Sequence, residues 1–328
     1  MTLSARLAAR KDGRRVAVVL PALDEEATVG PLVAGLTRLC DGSRPLVDDL
    51  VVLDSGSTDR TAERAAAAGA RVLGREGAVP GVPVLPGKGE AMWRAVVALG
   101  AGPRPADLVC FVDADLVDPH PELVERLLAP LLVRPGTALV KGYHRRPLTG
   151  SGGSGDADDT GGHEGGRVTE LLARPLLAAL RPGLRHVRQP IGGEYAGTRE
   201  LFDRLPFATG YGVDIGLLLD TDADTTVGGT AAIAQADLGV RRHRNRPLHE
   251  LGRTSREVLA TALARCGIED SGAGLTAFLP ADVRSGHGAE TGWRTETRPL
   301  SQVDRPPPGR VRDGGSAEPV VAPSARVG

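Results

Sequence analysis

The chain has 328 residues, enough for one large or two modest domains, and a formal net charge of −1 from 40 basic and 41 acidic side chains. That balance argues against a general nucleic-acid binder and against a polybasic membrane anchor. No apolar run approaches the roughly 20 residues needed to cross a bilayer, and Met1 to Arg15 holds no apolar signal-peptide core, so the expectation is a cytoplasmic protein with no membrane span.

Cys40, Cys110 and Cys266 are odd in number and form no C-x-x-C pair, which predicts reduced core thiols. Among the basic residues only Lys11, Lys88 and Lys141 are lysine. In a chain biased toward Ala, Gly and Arg, each internal lysine marks a place where a compact ammonium is wanted in preference to a guanidinium.

In chain order, Arg15 to Leu20 is a β-branched run ended by Pro21, a buried strand. Pro21-Ala22-Leu23-Asp24-Glu25-Glu26 follows, then Val29, Leu32, Val33, Leu36 and Leu39 at helical spacing. The loop lacks G-x-G-x-x-G, which excludes the dinucleotide fingerprint of a dehydrogenase. Its acids read either as complements to the helix dipole or as ligand contacts.

Leu50 to Leu53 is a second strand, and Asp54-Ser55-Gly56-Ser57-Thr58-Asp59 after it can cap a helix over Thr61 to Ala68 or hold a nucleoside. Ala70 to Leu73 is a third strand. Pro86-Gly87-Lys88-Gly89-Glu90 opens a helix through Leu99, with glycines that let the backbone approach a ligand and an ammonium suited to a phosphate or to neighbouring carboxylates. This is no Walker A loop, since the first Gly and the final Ser/Thr are missing.

Leu108 to Leu116 then breaks from an apolar run into Asp113-Ala114-Asp115. Such a strand delivers two carboxylates at its C-terminal end, where open α/β sheets bind ligands. Two hard oxygen donors with room for water suit Mg²⁺ or Mn²⁺ carrying a diphosphate.

A helix over Pro119 to Leu132 and a strand over Ala138 to Tyr143 complete an alternation that predicts a mostly parallel sheet with helices on both faces. Pro147 to Gly166, rich in Gly, Ser and Asp, reads as a mobile loop or lid. Arg167 and Thr169 then enter a helix over Leu171 to Leu180 that Pro175 interrupts, a pattern able to bind an anion or simply to cap.

Gln189 to Arg199, with Gly192-Gly193-Glu194, is glycine-rich enough for tight packing or ligand approach. Asp214 in Gly210 to Gly216 is a helix-entry or site carboxylate. Ile233 to Val240 is a late strand, and the basic loop after it, Arg241 to Pro247, suits a small anion; its His243 reads as an exposed imidazole or a ligand. Leu248 to Cys266 is an amphipathic helix. From about Val283 the polar, Pro- and Gly-rich chain is expected to be disordered.

Leu20 to Glu26, Asp54 to Asp59 and Asp113-Ala114-Asp115 together resemble the motifs of nucleotide-diphospho-sugar glycosyltransferases of the GT-A fold. Gly166 to Glu170, Gln189 to Arg199, Gly210 to Gly216 and His243 to Pro247 narrow the resemblance to the actinobacterial glucosyl-3-phosphoglycerate synthases, over about Val16 to Cys266.

The resemblance implies glucose transfer from UDP-glucose to 3-phosphoglycerate with retention, Mg²⁺ (or Mn²⁺) as cofactor, and a homodimer. It also implies that Pro21, Ala22, Leu23, Glu25 and Ser55 line a uridine pocket and that Lys88 faces the donor. Asp113 would support ribose and metal, Asp115 and His243 would coordinate the metal, and Arg167, Thr169 and Asn245 would hold the acceptor. The family pattern has Asn where Asp24 stands, Glu where Asp214 stands, and a shorter loop than 149–165. Rival readings are a sugar transferase acting on a polyprenyl phosphate, a glycosyltransferase with another donor or acceptor, and a non-catalytic nucleotide-sugar-binding module. The expected division is a nucleotide-sugar-binding half (1–145), an acceptor-binding and dimerisation portion (146–282), and a tail (283–328).

Overall fold

A computed structural model describes residues 1–117, 120–145, 166–240, 248–284, 289–300 and 303–321. Helix α1 (Leu3–Ala9) precedes strand β1 (Val16–Ala22), helix α2 (Val29–Thr37), strand β2 (Asp49–Asp54), helix α3 (Thr61–Ala67) and strand β3 (Arg71–Gly74). Helices α4 (Arg75–Ala78) and α5 (Lys88–Ala101), strand β4 (Leu108–Phe111), helix α6 (Glu122–Val133) and strand β5 (Leu139–Arg145) follow. Next come helix α7 (Arg174–Leu180), strand β6 (Tyr195–Thr198), helix α8 (Arg199–Arg204), strand β7 (Phe207–Ala208), helix α9 (Val213–Ala223), strand β8 (Ile233–Val240) and helix α10 (Leu248–Arg265). Strands β9 (Leu275–Arg284), β10 (Ala289–Arg298) and β11 (Val303–Arg305), helix α11 (Pro308–Arg312) and strand β12 (Val320–Val321) end the fold.

Seven strands form the central sheet in the order β3-β2-β1-β4-β6-β5-β8. All neighbours are parallel except β6, which runs antiparallel to both β4 and β5. All four residues of β4 are buried, which is why its sequence shows an apolar run instead of alternation. One core lies on each face. Trp93 of α5 packs with Phe111, Tyr195, Phe202 and Phe207 on one; Leu32, Leu36, Leu127 and Leu131 of α2 and α6 cover Val18, Val52 and Cys110 on the other. The aromatic rings meet in tilted and edge-on contacts, Phe111–Tyr195 at 5.5 Å and Phe111–Phe202 at 5.6 Å between centroids.

The antiparallel direction of β6 decides which loops meet at the end of the sheet. Phe111 pairs with Tyr195, so the chain just before β6 runs beside the chain just after β4. Gly193 is thereby brought against Asp113, from which it is distant in sequence.

Two expectations need correction. Residues 303–321 are not disordered: β11 pairs with β7 and β12 in a second sheet, and Arg305 is 1% exposed. Its guanidinium binds Glu90 at 2.6 Å and stacks 4.8 Å from the Trp93 ring, while Asp304 binds Arg265 at 2.6 Å. The segment reads as polar because its charges find partners as many as 215 residues away, which composition does not reveal. β9 and β10 pair as an antiparallel hairpin before it. The three cysteines are free as expected, yet only Cys110 is fully buried. Of the loop Pro147 to Gly166, expected to be mobile, residues 147–165 lie outside the described residues. Among the described residues no helix is long and apolar enough to cross a membrane.

Glu90 also accepts from Arg94 at 2.6 Å, so one carboxylate, 2% exposed, joins two buried guanidinium groups. Removing one member of such a buried network leaves uncompensated charge. Glu90→Ala should therefore lower the unfolding free energy by about 3 kcal/mol or more in urea titrations; a loss under about 0.5 kcal/mol, the size of a neutral surface change, would contradict the buried network.

Candidate active site

The loops after β1 and β2 are knitted together. Asp24 has φ of +55°, the left-handed region that Asn and Asp tolerate best among non-glycine residues. Its Oδ1 accepts from the Thr58 amide at 2.7 Å, and its own amide donates to Ser57 Oγ at 3.0 Å. The Glu25 amide donates to Thr61 Oγ1 at 2.7 Å, and the Ser55 amide donates to the Ala22 carbonyl at 2.8 Å. Ser57 and Thr58 thus serve Asp24 instead of capping α3, whose first amide is taken by Asp59 at 2.9 Å. Asp24 retains the conformational role open to the Asn of the resembling family, because both residues suit this φ and both offer an acceptor oxygen. Pro21 and Ala22 close β1, and Leu23, 55% exposed, presents an apolar side chain beside this frame.

Lys88 is the first residue of α5, between Gly87 at φ +115° and Gly89, whose Cα lies against the Ala208 carbonyl too closely for any side chain. Its ammonium donates to Asp113 Oδ1 at 2.9 Å and to Asp214 Oδ2 at 3.3 Å. Burial pushes the Lys88 pKa down, but the facing Asp113 and Asp214 carboxylates outweigh it and hold the pKa raised. Burial likewise raises the Asp214 pKa, with Lys88 and Lys141 opposing. Asp214 stands on the first turn of α9 and is buried. Although one methylene shorter than the Glu expected there, it reaches the cluster.

Gly193 completes the floor. A methyl group at this position would collide with both Asp113 carboxylate oxygens and with Lys88 Nζ. Asp115 follows on the same turn and is half-buried.

The described residues therefore join Lys88, Asp113, Asp214 and Gly193 in one cluster at the C-terminal end of β4. Arg167 is half-buried and Thr169 buried where a π-helical turn (Thr169–Ala173) leads into α7, with Pro175 near the junction as the sequence led one to expect. His243 and Asn245 lie outside the described residues. Among the described residues no three His, Cys, Asp or Glu side chains converge to hold a metal. Asp113 and Asp115 nevertheless fit a hard divalent cation of the Mg²⁺ type, which takes one or two carboxylates and completes its shell with water and phosphate oxygens. Sequence reasoning missed Gly193 and Lys141 as parts of this neighbourhood. The signals were the glycine pair and the rarity of lysine, but neither names a partner.

No family model matches the chain. The glucosyl-3-phosphoglycerate synthase of Mycolicibacterium paratuberculosis is 56% identical over 308 residues, 94% of this chain and 88% of that protein. The chain belongs to the glucosyl-3-phosphoglycerate synthase family. A more distant member from Petrotoga mobilis is 37% identical over 255 residues, 78% of this chain and 74% of its own.

Among solved structures, the Mycobacterium tuberculosis synthase in complex with Mn²⁺, UDP and glucosyl-3-phosphoglycerate superposes with a TM-score of 0.79 at 52% identity, covering 95% of this chain and 96% of that one. The same enzyme with Mg²⁺ and UDP gives 0.78 at 52%, over 94% and 95% of the two chains. The fold is the GT-A-like α/β fold of glucosyl-3-phosphoglycerate synthases, as the motifs led one to expect.

Gly192 differs from its neighbour, since a methyl there would come no nearer than 3.2 Å to any atom. Gly193→Ala should destabilise the protein by about 1–3 kcal/mol in urea titrations, as overpacking does, and by more than Gly192→Ala. Equal losses for the two variants would contradict the close approach of Gly193 to the Lys88–Asp113 pair.

Proposed function

We propose that the protein is a retaining glucosyltransferase that moves glucose from UDP-glucose to 3-phosphoglycerate, giving glucosyl-3-phosphoglycerate and UDP, with Mg²⁺ or Mn²⁺. The observation that carries this reading is the cluster of Lys88 between Asp113 and Asp214, at the strand end where α/β sheets take ligands. It stands in a chain 56% identical to the named synthases over nearly its whole length.

In this reading Pro21, Ala22, Leu23, Glu25 and Ser55 form the uridine pocket, and the Asp24–Thr58 and Glu25–Thr61 bonds set its shape before the donor arrives. Asp113 and Asp115, with His243, hold the cation, which when bound neutralises charge on the leaving diphosphate. Lys88 adds a fixed positive charge beside the same group, already desolvated and oriented by two carboxylates. Arg167, Thr169 and Asn245 hold the acceptor; a guanidinium fork matches phosphate oxygens.

Retention by double displacement would require a free carboxylate under the anomeric carbon. Asp214 is engaged with Lys88, and Glu194 is fully buried with its carboxylate 3.6 Å from His144 Nε2. This favours a front-face course. The acceptor hydroxyl oxygen bonds to the anomeric carbon as the bond to UDP breaks, and its proton passes to a phosphate oxygen of the departing UDP.

The proposal includes a homodimer. Phe278 and Trp293 are 65% and 70% exposed on one face of the β9–β10 hairpin and supply apolar surface for a second copy. It also includes a cytoplasmic location, in keeping with three free thiols.

A matrix of nucleotide sugars against acceptors, run with Mg²⁺ and with EDTA, tests the reaction. UDP release should require UDP-glucose, 3-phosphoglycerate and the metal together; turnover on a polyprenyl phosphate, or donor binding without turnover, would contradict it. Asp115→Ala should lose at least about 100-fold in kcat, and activity within a few-fold of wild type would remove Asp115 from the metal site. Arg167→Ala should raise the acceptor KM about tenfold or more with the donor KM little changed; equal effects would take Arg167 out of the acceptor site.

A further inference from the structure

Lys141 takes no part in the donor, acceptor or metal assignments above, yet it is the most enclosed lysine in the protein, 1% exposed in the middle of β5. Its neighbours in register are Tyr195 on β6 and Gln235 on β8, so the three side chains form a row across adjacent strands. The Lys141 ammonium lies 4.1 Å from the centre of the Tyr195 ring and donates to the Gly192 carbonyl at 2.8 Å.

Gln235 holds the same loop further back. Its Oε1 accepts from the Arg188 amide at 2.8 Å, and its Nε2 donates to the His186 carbonyl at 3.2 Å. From within the loop, Gln189 exchanges hydrogen bonds with the backbone of His144, at 3.2 Å to its amide and 2.7 Å to its carbonyl. Residues 186–192 are therefore fastened to the sheet at successive points. The last fastening is the charged one, and it sits one peptide before the glycine that packs on Asp113 and Lys88.

We infer that Lys141 is a positioning residue for the donor site: its ammonium, bound to the Gly192 carbonyl, sets the height of the 192–193 turn beneath the Lys88–Asp113 pair. A charged donor makes a stronger hydrogen bond than a neutral amide does, and the Tyr195 face supplies a second attraction that needs no space for a guanidinium. Gly193 has no side chain to absorb error, so a shift of the Gly192 carbonyl passes directly to the Asp113 carboxylate. Misplacement of about 1 Å at a donor-holding group is enough to cost on the order of 100-fold in rate. The inference rests on the donor-site reading for its effect on catalysis, and on the geometry alone for the fastening.

Lys141→Met is the test, because Met keeps much of the stem's apolar bulk over Tyr195 but has no proton to donate. It should lower kcat by about tenfold or more and weaken UDP binding with Mg²⁺ by a similar factor, while the acceptor KM stays within about twofold. UDP calorimetry should still count about one site per chain. A merely structural role would reduce the number of competent sites and leave kcat per site and UDP affinity as in the wild type, which would overturn the inference.

A ligand-free measurement separates the fastening from the reaction itself. If Lys141 acts through the turn, Lys141→Met should destabilise Gly193→Ala protein less than it destabilises the wild type; strictly additive losses would overturn the fastening even in an active enzyme. Non-additive losses in a protein that fails to turn over UDP-glucose would retain the fastening and remove the reaction.

Should Lys141→Met not fold, the wild type carries the test. Burial pushes the Lys141 ammonium down to about 8, with Asp214, Glu194 and Asp113 holding it up and Lys88 opposing them. Its charge is present below its pKa and lost above it, so kcat should fall in step with the Lys141 titration followed by NMR of 13C-lysine-labelled protein; a kcat unchanged through that titration would contradict the inference.

Discussion

One ammonium group, held between two carboxylates that come from different parts of the chain, organises the site. Lys88 opens α5, Asp113 follows β4 and Asp214 stands on the first turn of α9; the cluster exists only when all three elements are docked. Two carboxylates brought together in a poorly solvated cleft repel each other, and a lysine buried alone sheds its proton. Each unfavourable burial is offset by the others. The result is a fixed positive charge beside the turn that carries Asp115, which is what an anionic leaving group needs and what water would otherwise have to reorganise to supply.

Glycine makes this density possible. Gly89 lets α5 start against the Ala208 carbonyl, and Gly193 lets the chain before β6 lie directly on the Lys88–Asp113 pair. The same economy appears in the charges away from the site. Glu90, two residues beyond Lys88, is clamped by Arg94 and by Arg305 from near the C-terminus, so the helix that presents Lys88 is anchored by a segment more than 200 residues distant. Lys11 repeats the pattern at the opposite end of the strands, where it binds Asp48, whose carboxylate also accepts from the Val16 amide that starts β1.

Much of this was legible in the sequence. β-branched and apolar runs marked β1, β2, β4 and β5, since buried parallel strands need such side chains on both faces. The break from Phe111 and Val112 into Asp113-Ala114-Asp115 marked the ligand end. The scarcity of lysine proved informative: Lys11, Lys88 and Lys141 all bury their ammonium groups against oxygen atoms.

What stayed hidden was long-range. Nothing local says that Tyr195–Thr198 enters the sheet antiparallel between β4 and β5, because four residues carry too little pattern. Nothing in a Pro- and Arg-rich tail says that Asp304 and Arg305 will be buried, because their partners lie on α10 and α5. Ser57 and Thr58 looked like caps for α3, yet they serve a loop after another strand. In each case the missing information was the identity of the partner, and periodicity and composition do not encode it.

In the proposed reaction the turn after β4, braced by Lys88 and Gly193, holds the divalent cation and diphosphate of the donor. The most direct measurement is the anomalous scattering of Mn²⁺ in crystals grown with UDP. A single strong peak is expected about 2 Å from an Asp115 carboxylate oxygen, with the UDP phosphates on its far side and Lys88 beside them. A manganese peak remote from residues 113–115, with UDP bound elsewhere on the sheet, would contradict it.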